Sequence, residues 1–205
     1  MKTFFVIGCT MSGVSSIVHN YRKLKNQTRV KISKVSDLHL IKNNSIHKFQ
    51  TKFLKENFDN IIKESKKHNS KFVMIYRKNL FEKALAWYDH HVNNEILDVI
   101  FINSWIEDVK IKETEVYNMY KDVVDVELIT YEDLYVNNYN TMIEKLKIFD
   151  LDIDIDTAKL VRYTNNKQKT LNGKYNWKPE IDIHKDKPGF DICYNLLSDE
   201  RIEYT

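Results

Sequence analysis

Short apolar runs alternate with longer stretches of helical periodicity along this chain. Residues 3–7, 71–76 and 126–130 are rich in β-branched and aromatic side chains, and each run predicts a buried strand. Residues 29–33 alternate like a half-exposed strand, and residues 96–102 fit either a strand or a helix. Apolar residues at three- and four-residue spacing predict helices over residues 14–25, 46–65, 79–92, 104–123, 141–149 and 157–163.

Strands that alternate with helices predict an α/β protein with three layers, α/β/α, around a central parallel sheet. Ligands of such sheets bind at the carboxyl ends of the strands. We expect residues 1–163 to form this domain. Residues 164–205, which are more polar but contain several aromatic side chains, are expected to form a tail that packs on it.

The first strand runs directly into a loop flanked by two of the chain's four glycines, Gly8 and Gly13. Strand, glycine-flanked loop and helix are the parts of an anion site, in which backbone N–H groups and the helix dipole face a phosphate. The sequence therefore predicts a phosphate cradle over residues 8–16, and the alternative is an ordinary strand-to-helix turn. The glycine spacing fits a Walker A loop and Ser15 takes the hydroxyl position, but Val14 stands where that motif has its lysine. This departure disfavours a P-loop kinase.

Composition limits the function further. The 205 residues include 32 basic and 29 acidic side chains, and a net charge of +3 is too small to predict a nucleic-acid partner. The two cysteines, Cys9 and Cys193, have no metal-site spacing, so we predict no metal and no disulfide framework. We find neither a signal-peptide pattern nor an apolar run of about 20 residues, so we expect a cytoplasmic protein without a membrane partner.

The segment after the predicted strand at residues 71–76 contains a second candidate anion ligand and a pair of histidines. The strand over residues 71–76 ends at Arg77, and Asn79 with Glu82 predicts a capped helix start. Arg77 at the carboxyl edge of the sheet is a candidate phosphate ligand because a guanidinium binds phosphate through two N–H groups; the alternative is a surface arginine. The adjacent His90 and His91 lack a metal-site pattern and are interpreted as solvated side chains.

Residues 76–87, YRKNLFEKALAW, together with the opening loop and the segment TYEDLY at residues 130–135, resemble the sulfotransferases that use 3′-phosphoadenosine 5′-phosphosulfate (PAPS). The resemblance covers about residues 1–150 and implies a P-loop NTPase-like fold, PAPS as the cofactor and no metal. It assigns the 5′-phosphosulfate to Met11, Ser12, Gly13, Val14, Ser15 and Ser16. It assigns the 3′-phosphate to Arg77 and Ala86, or Leu85 under a shorter spacing.

This chain departs from that family at three of these positions. Met11 stands where the family has a lysine or arginine, Val14 where it usually has a hydroxyl residue, and Ala86 where it has a serine. We hypothesise that Lys34 or Lys78 replaces the missing cation. Arg162, Lys167 and Lys169 are the candidates for a third contact to the 3′-phosphate.

The resemblance implies transfer of a sulfuryl group from PAPS to a hydroxyl of a saccharide or small-molecule acceptor. His39 and Asp37 lie where family members have an acceptor-side base, and they are the predicted catalytic residues; the alternative is an ordinary loop. Two other functions stay open: a nucleotide-binding protein of the same fold that has lost catalysis, and a P-loop kinase.

Overall fold

A four-stranded parallel sheet with the order β2-β1-β3-β4 is the centre of the computed structural model. The structure describes residues 2–9, 11–92, 95–165 and 180–204, and of residues 163–165 it describes the backbone alone. The strands are β1 (Thr3–Gly8), β2 (Ile46–Gln50), β3 (Ser70–Tyr76) and β4 (Val126–Thr130). Every residue of β1 is buried, as the apolar run at residues 3–7 predicted.

Helices cover both faces of the sheet because side chains on each strand alternate between them. Phe4 and Val6 of β1 face one apolar cluster, whereas Phe5 and Ile7 face the other. The first cluster is closed by α1 (Val14–Leu24), α6 (Tyr131–Tyr135), α7 (Tyr139–Leu146) and α8 (Ile155–Asn165). The second is closed by α2 (Thr51–Glu56), α3 (Phe58–Lys67), α4 (Leu80–His91) and α5 (Val99–Lys121), with α9 (Glu180–His184) and α10 (Phe190–Leu197). This arrangement confirms the predicted three-layer α/β/α fold.

The prediction of one helix over residues 46–65 was wrong. Residues 46–50 form the edge strand β2, and α2 and α3 follow it with a break at Asn57. Ile46 and Phe49 suit either period, and parallel pairing with Phe4 and Ile7 of β1 decides for the strand. Residues 29–33, predicted as a strand, have no regular secondary structure, and a 3-10 helix follows at Val35–Leu40.

Two predicted helix starts were also wrong. α5 begins at Val99 because the Asp98 carboxylate accepts a hydrogen bond from the Phe101 N–H at 3.1 Å, so Ser104 lies inside the helix. α7 begins at Tyr139 because the Asn138 side chain accepts from the Thr141 N–H at 2.9 Å. In both cases an Asx cap several residues upstream satisfies the first N–H groups of the helix.

Residues 180–204 pack against α4 and α5. Phe190, Cys193 and Leu197 of α10 are buried in the second cluster. The chain then returns to the end of β3, where the Leu80 N–H donates to the Glu200 carbonyl and the Ile202 N–H donates to the Lys78 carbonyl. Across the described residues, no helix combines the length and apolar character needed to span a bilayer.

Candidate functional site

The loop between β1 and α1 opens into a cavity of about 630 Å³, which we call the cradle cavity. It lies at the carboxyl end of the sheet, and it brings together the six predicted loop residues with parts of β2, α2 and α4. Its wall is formed by Gly8, Cys9, Met11, Ser12, Gly13, Val14, Ser15, Ser16, Lys48, Gln50, Thr51, Lys52, His90 and His91.

Gly13 sets the direction in which α1 leaves the loop. Its φ of 72° lies in the left-handed region, and a Cβ at this position would lie 2.3 Å from Cε2 of Tyr135. The Tyr135 hydroxyl donates to the Gly13 carbonyl at 3.1 Å, and burial raises the pKa of that hydroxyl. Only glycine allows this backbone conformation and this close approach together.

A lysine that the sequence analysis missed lies in the cradle cavity. Lys48 of β2 donates from Nζ to Oγ of Ser15, in the first turn of α1, at 2.8 Å. Its side chain crosses Gly8, where an added Cβ would lie 2.9 Å from Lys48 Cε. Burial and the nearby Arg29 lower the pKa of Lys48. Gly8 therefore provides the space through which an ammonium group reaches the loop.

His90 and His91, at the end of α4, also line the cradle cavity. The His91 ring stacks on Trp87 with 4.9 Å between ring centroids, and its Nδ1 lies 3.0 Å from the Trp87 carbonyl oxygen. If Nδ1 carries the proton in this contact, Nε2 is left as an acceptor. Both histidines are exposed, in agreement with their interpretation as solvated side chains, but the adjacent pair carries no sequence signal that α4 places them at this cavity.

Arg77 is buried at the end of β3 and does not line the cradle cavity. Its Nη2 donates to Oε2 of Glu82 at 2.7 Å, and the guanidinium lies 4.4 Å from the centre of the Tyr131 ring. The neighbouring N–H groups of Lys78 and Asn79 donate to the Glu132 carboxylate at 3.1 and 3.2 Å. Carboxylates therefore neutralise this part of the sheet edge in the structure.

The other predicted site residues lie away from the cradle cavity. Oδ2 of Asp37 accepts hydrogen bonds from the backbone of Ser33 and Lys34, which lower the pKa of Asp37. His39 is exposed, with Nδ1 against the Ser36 carbonyl, and Ala86 is half-buried on α4. Their catalytic and cofactor assignments stay predictions.

Neither lysine proposed to replace the missing cation lies in the cradle cavity. Lys34 is the N-cap residue of the 3-10 helix, and Lys78 pairs with Glu203 at 3.0 Å. Arg162 donates to the carbonyls of Leu134 and Asn137, whereas Lys167 and Lys169 lie outside the described residues.

No protein-family model matches the chain, and the search of curated proteins returned no match. Among solved structures, the crystal structure of mouse sulfotransferase SULT7A1 complexed with PAP is similar to this chain. The likeness has a TM-score of 0.51 at 11% sequence identity and covers 96% of this chain and 82% of that chain. The fold is sulfotransferase-like.

Within this sulfotransferase-like fold, the described part of the chain brings no three His, Cys, Asp or Glu side chains together as a metal site. The polar side chains that line the cradle cavity include three serines, two lysines and two histidines, beside the backbone of the loop. Such groups bind and stabilise negative charge, and a histidine can also accept a proton.

Proposed function

We propose that this protein transfers a sulfuryl group from PAPS to a hydroxyl of a saccharide or small-molecule acceptor. The observation that carries the proposal is the Lys48 ammonium, 2.8 Å from Ser15 in a loop whose own cation positions are Met11 and Val14. The like-folded SULT7A1 was solved with PAP, and a cation at this position gives the loop the charge that a phosphosulfate requires.

The loop residues and the first turn of α1 bind the 5′-phosphosulfate in this proposal. We assign the anion to the backbone N–H groups of residues 13–15 and the Ser15 hydroxyl, at the positive end of the helix dipole; the Ser16 N–H already donates to the Gly13 carbonyl at 3.1 Å. In the transfer step the acceptor oxygen bonds to sulfur, the bond between sulfur and the bridging oxygen breaks, and PAP leaves with the electron pair. Lys48 stabilises the charge that develops on that bridging oxygen.

We assign the base that removes the acceptor proton to His91. It lines the cradle cavity, and the Trp87 carbonyl at 3.0 Å from Nδ1 favours the tautomer with an unprotonated Nε2. Replacing His91 with Gln should lower the transfer rate about 10²-fold with little change in PAP affinity. His39→Gln is the matched control, because it removes the base that the sequence predicts; a loss in that variant with none in His91→Gln would return the assignment to His39.

The decisive test compares two lysines of the same cavity. Lys52 is exposed and lies 3.8 Å from Glu56, whereas Lys48 contacts the loop. Lys48→Ala should weaken PAP binding about tenfold by calorimetry and slow transfer from radiolabelled PAPS about 10²–10³-fold. Lys52→Ala should change either quantity less than about threefold. A wild-type protein that binds no PAP, or binds ATP–Mg²⁺ instead, would refute the proposal.

Met11 and Ala86, which stand where the family has a cation and a serine, favour a second candidate function, a nucleotide-binding protein without turnover. A 3′-phosphate at Arg77 has to take the place of the Glu82 carboxylate, which costs binding energy. Glu82→Gln keeps the side chain's shape and should raise PAP affinity about tenfold if Arg77 holds the 3′-phosphate. If wild type binds PAP but transfers to no acceptor while Met11→Lys gains turnover, the second function is the correct one.

A further inference from the structure

A second cavity, of about 820 Å³, runs along the outer face of α1. Its opposite wall is residues 27–33, and it shares Ser15, Lys48 and Gln50 with the cradle cavity. The two cavities are therefore contiguous at the point where the proposed function places the transferred group. We call the second cavity the basic groove, after its basic residues His19, Arg22, Lys23, Arg29, Lys31 and Lys48.

The charged side chains that line the basic groove all carry the same sign, which is positive. No aspartate or glutamate is among the described residues that line it. Within the described ranges, none of Arg22, Lys23, Arg29, Lys31 or Lys48 forms an ion pair, although many lysines elsewhere on the surface do. The whole chain has a net charge of only +3, so its overall composition does not explain why so many basic side chains lie in one groove. A concave wall with charges of one sign concentrates ligands of the opposite sign.

The cations lie close enough to repel one another. Arg29 lowers the pKa of both Arg22 and Lys48, in each case after the larger effect of burial. Like charges held this close to one another raise the free energy of the groove. An anion bound between them would relieve that repulsion.

The groove is also held in place by hydrogen bonds. Nη2 of Arg22 donates to the Ile46 carbonyl at 2.9 Å and reaches the Val30 carbonyl at 3.4 Å. Nε2 of Gln27 donates to the Asn44 carbonyl at 2.5 Å. These contacts tie residues 27–30, which have no regular secondary structure, to the neighbourhood of β2. A cationic wall that is fixed before binding loses less entropy when the ligand arrives.

We propose that the basic groove binds the acceptor and that this acceptor is itself an anion, with at least two carboxylate, phosphate or sulfate groups besides its hydroxyl. The inference rests on the proposed function for the position of the transferred group. Cations spread along the groove match several anionic groups better than one. Val18, Val30, Ile32 and Phe53 also line the groove and offer apolar contact to the body of such a molecule. A volume of about 820 Å³ suits a ligand of drug size or a short oligosaccharide.

The test titrates the full chain, saturated with PAP, with three probes: trigalacturonate, fructose 1,6-bisphosphate and uncharged maltotriose. One or both anionic probes should bind at least about tenfold more tightly than maltotriose, and which one binds separates a carboxylated saccharide from a phosphorylated metabolite. Arg29→Glu/Lys31→Glu should weaken that binding at least about tenfold, because it replaces two groove cations with anions. Lys63→Glu/Lys185→Glu is the matched control: it makes the same change in net charge at exposed lysines that line neither cavity.

The outcomes separate this inference from the proposed function. If PAP binds and neither anionic probe does, or if both double variants weaken the probes equally, the inference is overturned while the proposed function stands. A third outcome is that PAP fails to bind, while an anionic probe still binds and needs Arg29 and Lys31 to do so. The groove is then an anion site but not the acceptor site of a sulfotransferase. That result overturns both the inference and the proposed function. The inference is supported if PAP binds and if Arg29→Glu/Lys31→Glu, but not the control variant, loses probe binding. The PAP affinity of Arg29→Glu/Lys31→Glu should stay within about threefold of wild type.

Discussion

Gly13 and Tyr135 control the shape of the loop at the level of single residues. The glycine has a φ of 72°, and its hydrogen faces the tyrosine ring where any Cβ would overlap. The Tyr135 hydroxyl holds the Gly13 carbonyl, so the ring both requires the glycine and orients its peptide. Loop conformation and the packing of α6 on α1 are therefore coupled.

Gly13→Ala should lower the free energy of unfolding by about 2–4 kcal/mol, since it adds left-handed strain to a steric overlap with Tyr135. In a Tyr135→Leu background the same substitution should cost only about 1–2 kcal/mol, because the overlap is gone and the strain remains. Urea denaturation of the four proteins measures both costs. Equal costs in the two backgrounds would show that the ring is not the obstacle.

His47 is a buried histidine that the protein keeps neutral. It is 2% exposed, and Nε2 lies 2.6 Å from Oγ of Ser45. Burial, with smaller contributions from Arg22 and His68, lowers its pKa to about 4. An unfolded chain takes up this proton near pH 6.5. Between these two values the unfolded state binds more protons than the folded state, so acid favours unfolding.

We therefore expect the free energy of unfolding to fall as the pH drops from about 6.5 to 4, by up to about 3 kcal/mol from this residue. Above pH 6.5 the contribution of His47 should be constant. His47→Gln should flatten this part of the profile, as measured by urea denaturation at several pH values. His39→Gln, at an exposed position, should leave the slope unchanged; an unchanged slope in His47→Gln would contradict the assignment.

At the scale of elements, a buried ion pair joins α4 to α5. Nζ of Lys83 lies 2.5 Å from Oε1 of Glu113, and the two side chains are 0% and 4% exposed. Cys9, at the end of β1, lies beside them: burial raises the pKa of its thiol, and the Glu113 carboxylate raises it further. The pair therefore lies where both helices meet the strand that leads into the loop.

Lys83→Met should lower the free energy of unfolding by about 3–5 kcal/mol, because it leaves the Glu113 carboxylate buried without a partner. Lys83→Met/Glu113→Leu should recover most of that loss. The exposed pair between Lys112 and Asp108 on α5 supplies the control, and Lys112→Ala should cost less than about 1 kcal/mol. A double variant no more stable than Lys83→Met would contradict this account.

Local signals predicted the start of α4 and missed the starts of α5 and α7, whose caps are Asp98 and Asn138. Asn79 caps α4 by accepting from the Glu82 N–H at 2.9 Å, and this contact between residues three apart was visible in the sequence. β2 was not predictable in this way, because its apolar residues also continue the helical spacing of α2 and α3. Pairing with β1 decided it, and that pairing sets Lys48 beside Val6, close to the loop.

At the scale of the whole molecule, the last residues close the sheet edge beside Arg77. Ile202 is buried, and the Tyr204 ring lies between those of Tyr76 and Tyr117, 4.8 Å from each. The backbone bonds of Glu200 and Ile202 to the turn after β3 complete this contact. The end of the described chain thus supports the turn that carries the predicted 3′-phosphate ligand.

Deleting residues 199–205 should lower the free energy of unfolding by about 3 kcal/mol or more, since it exposes the surfaces that Ile202 and Tyr204 cover. Arg201→Ala is the control: this side chain is exposed and, among the described residues, it donates only to the carbonyls of Ser198 and Glu200, so a loss under about 1 kcal/mol is expected. Urea denaturation compares the two. A deletion as mild as Arg201→Ala would mean that this contact stabilises little.

The sequence alone determined the alternation of strands and helices, the α/β class and the glycine-flanked loop, because each depends on residues near one another in the chain. Tertiary structure alone decided which side chains surround that loop. Lys48, His91 and the basic residues of the groove come from segments up to 72 residues apart in the sequence, the distance from His19 to His91. They meet because parallel strands place their carboxyl ends at one edge, and no local periodicity records which side chains that edge brings together.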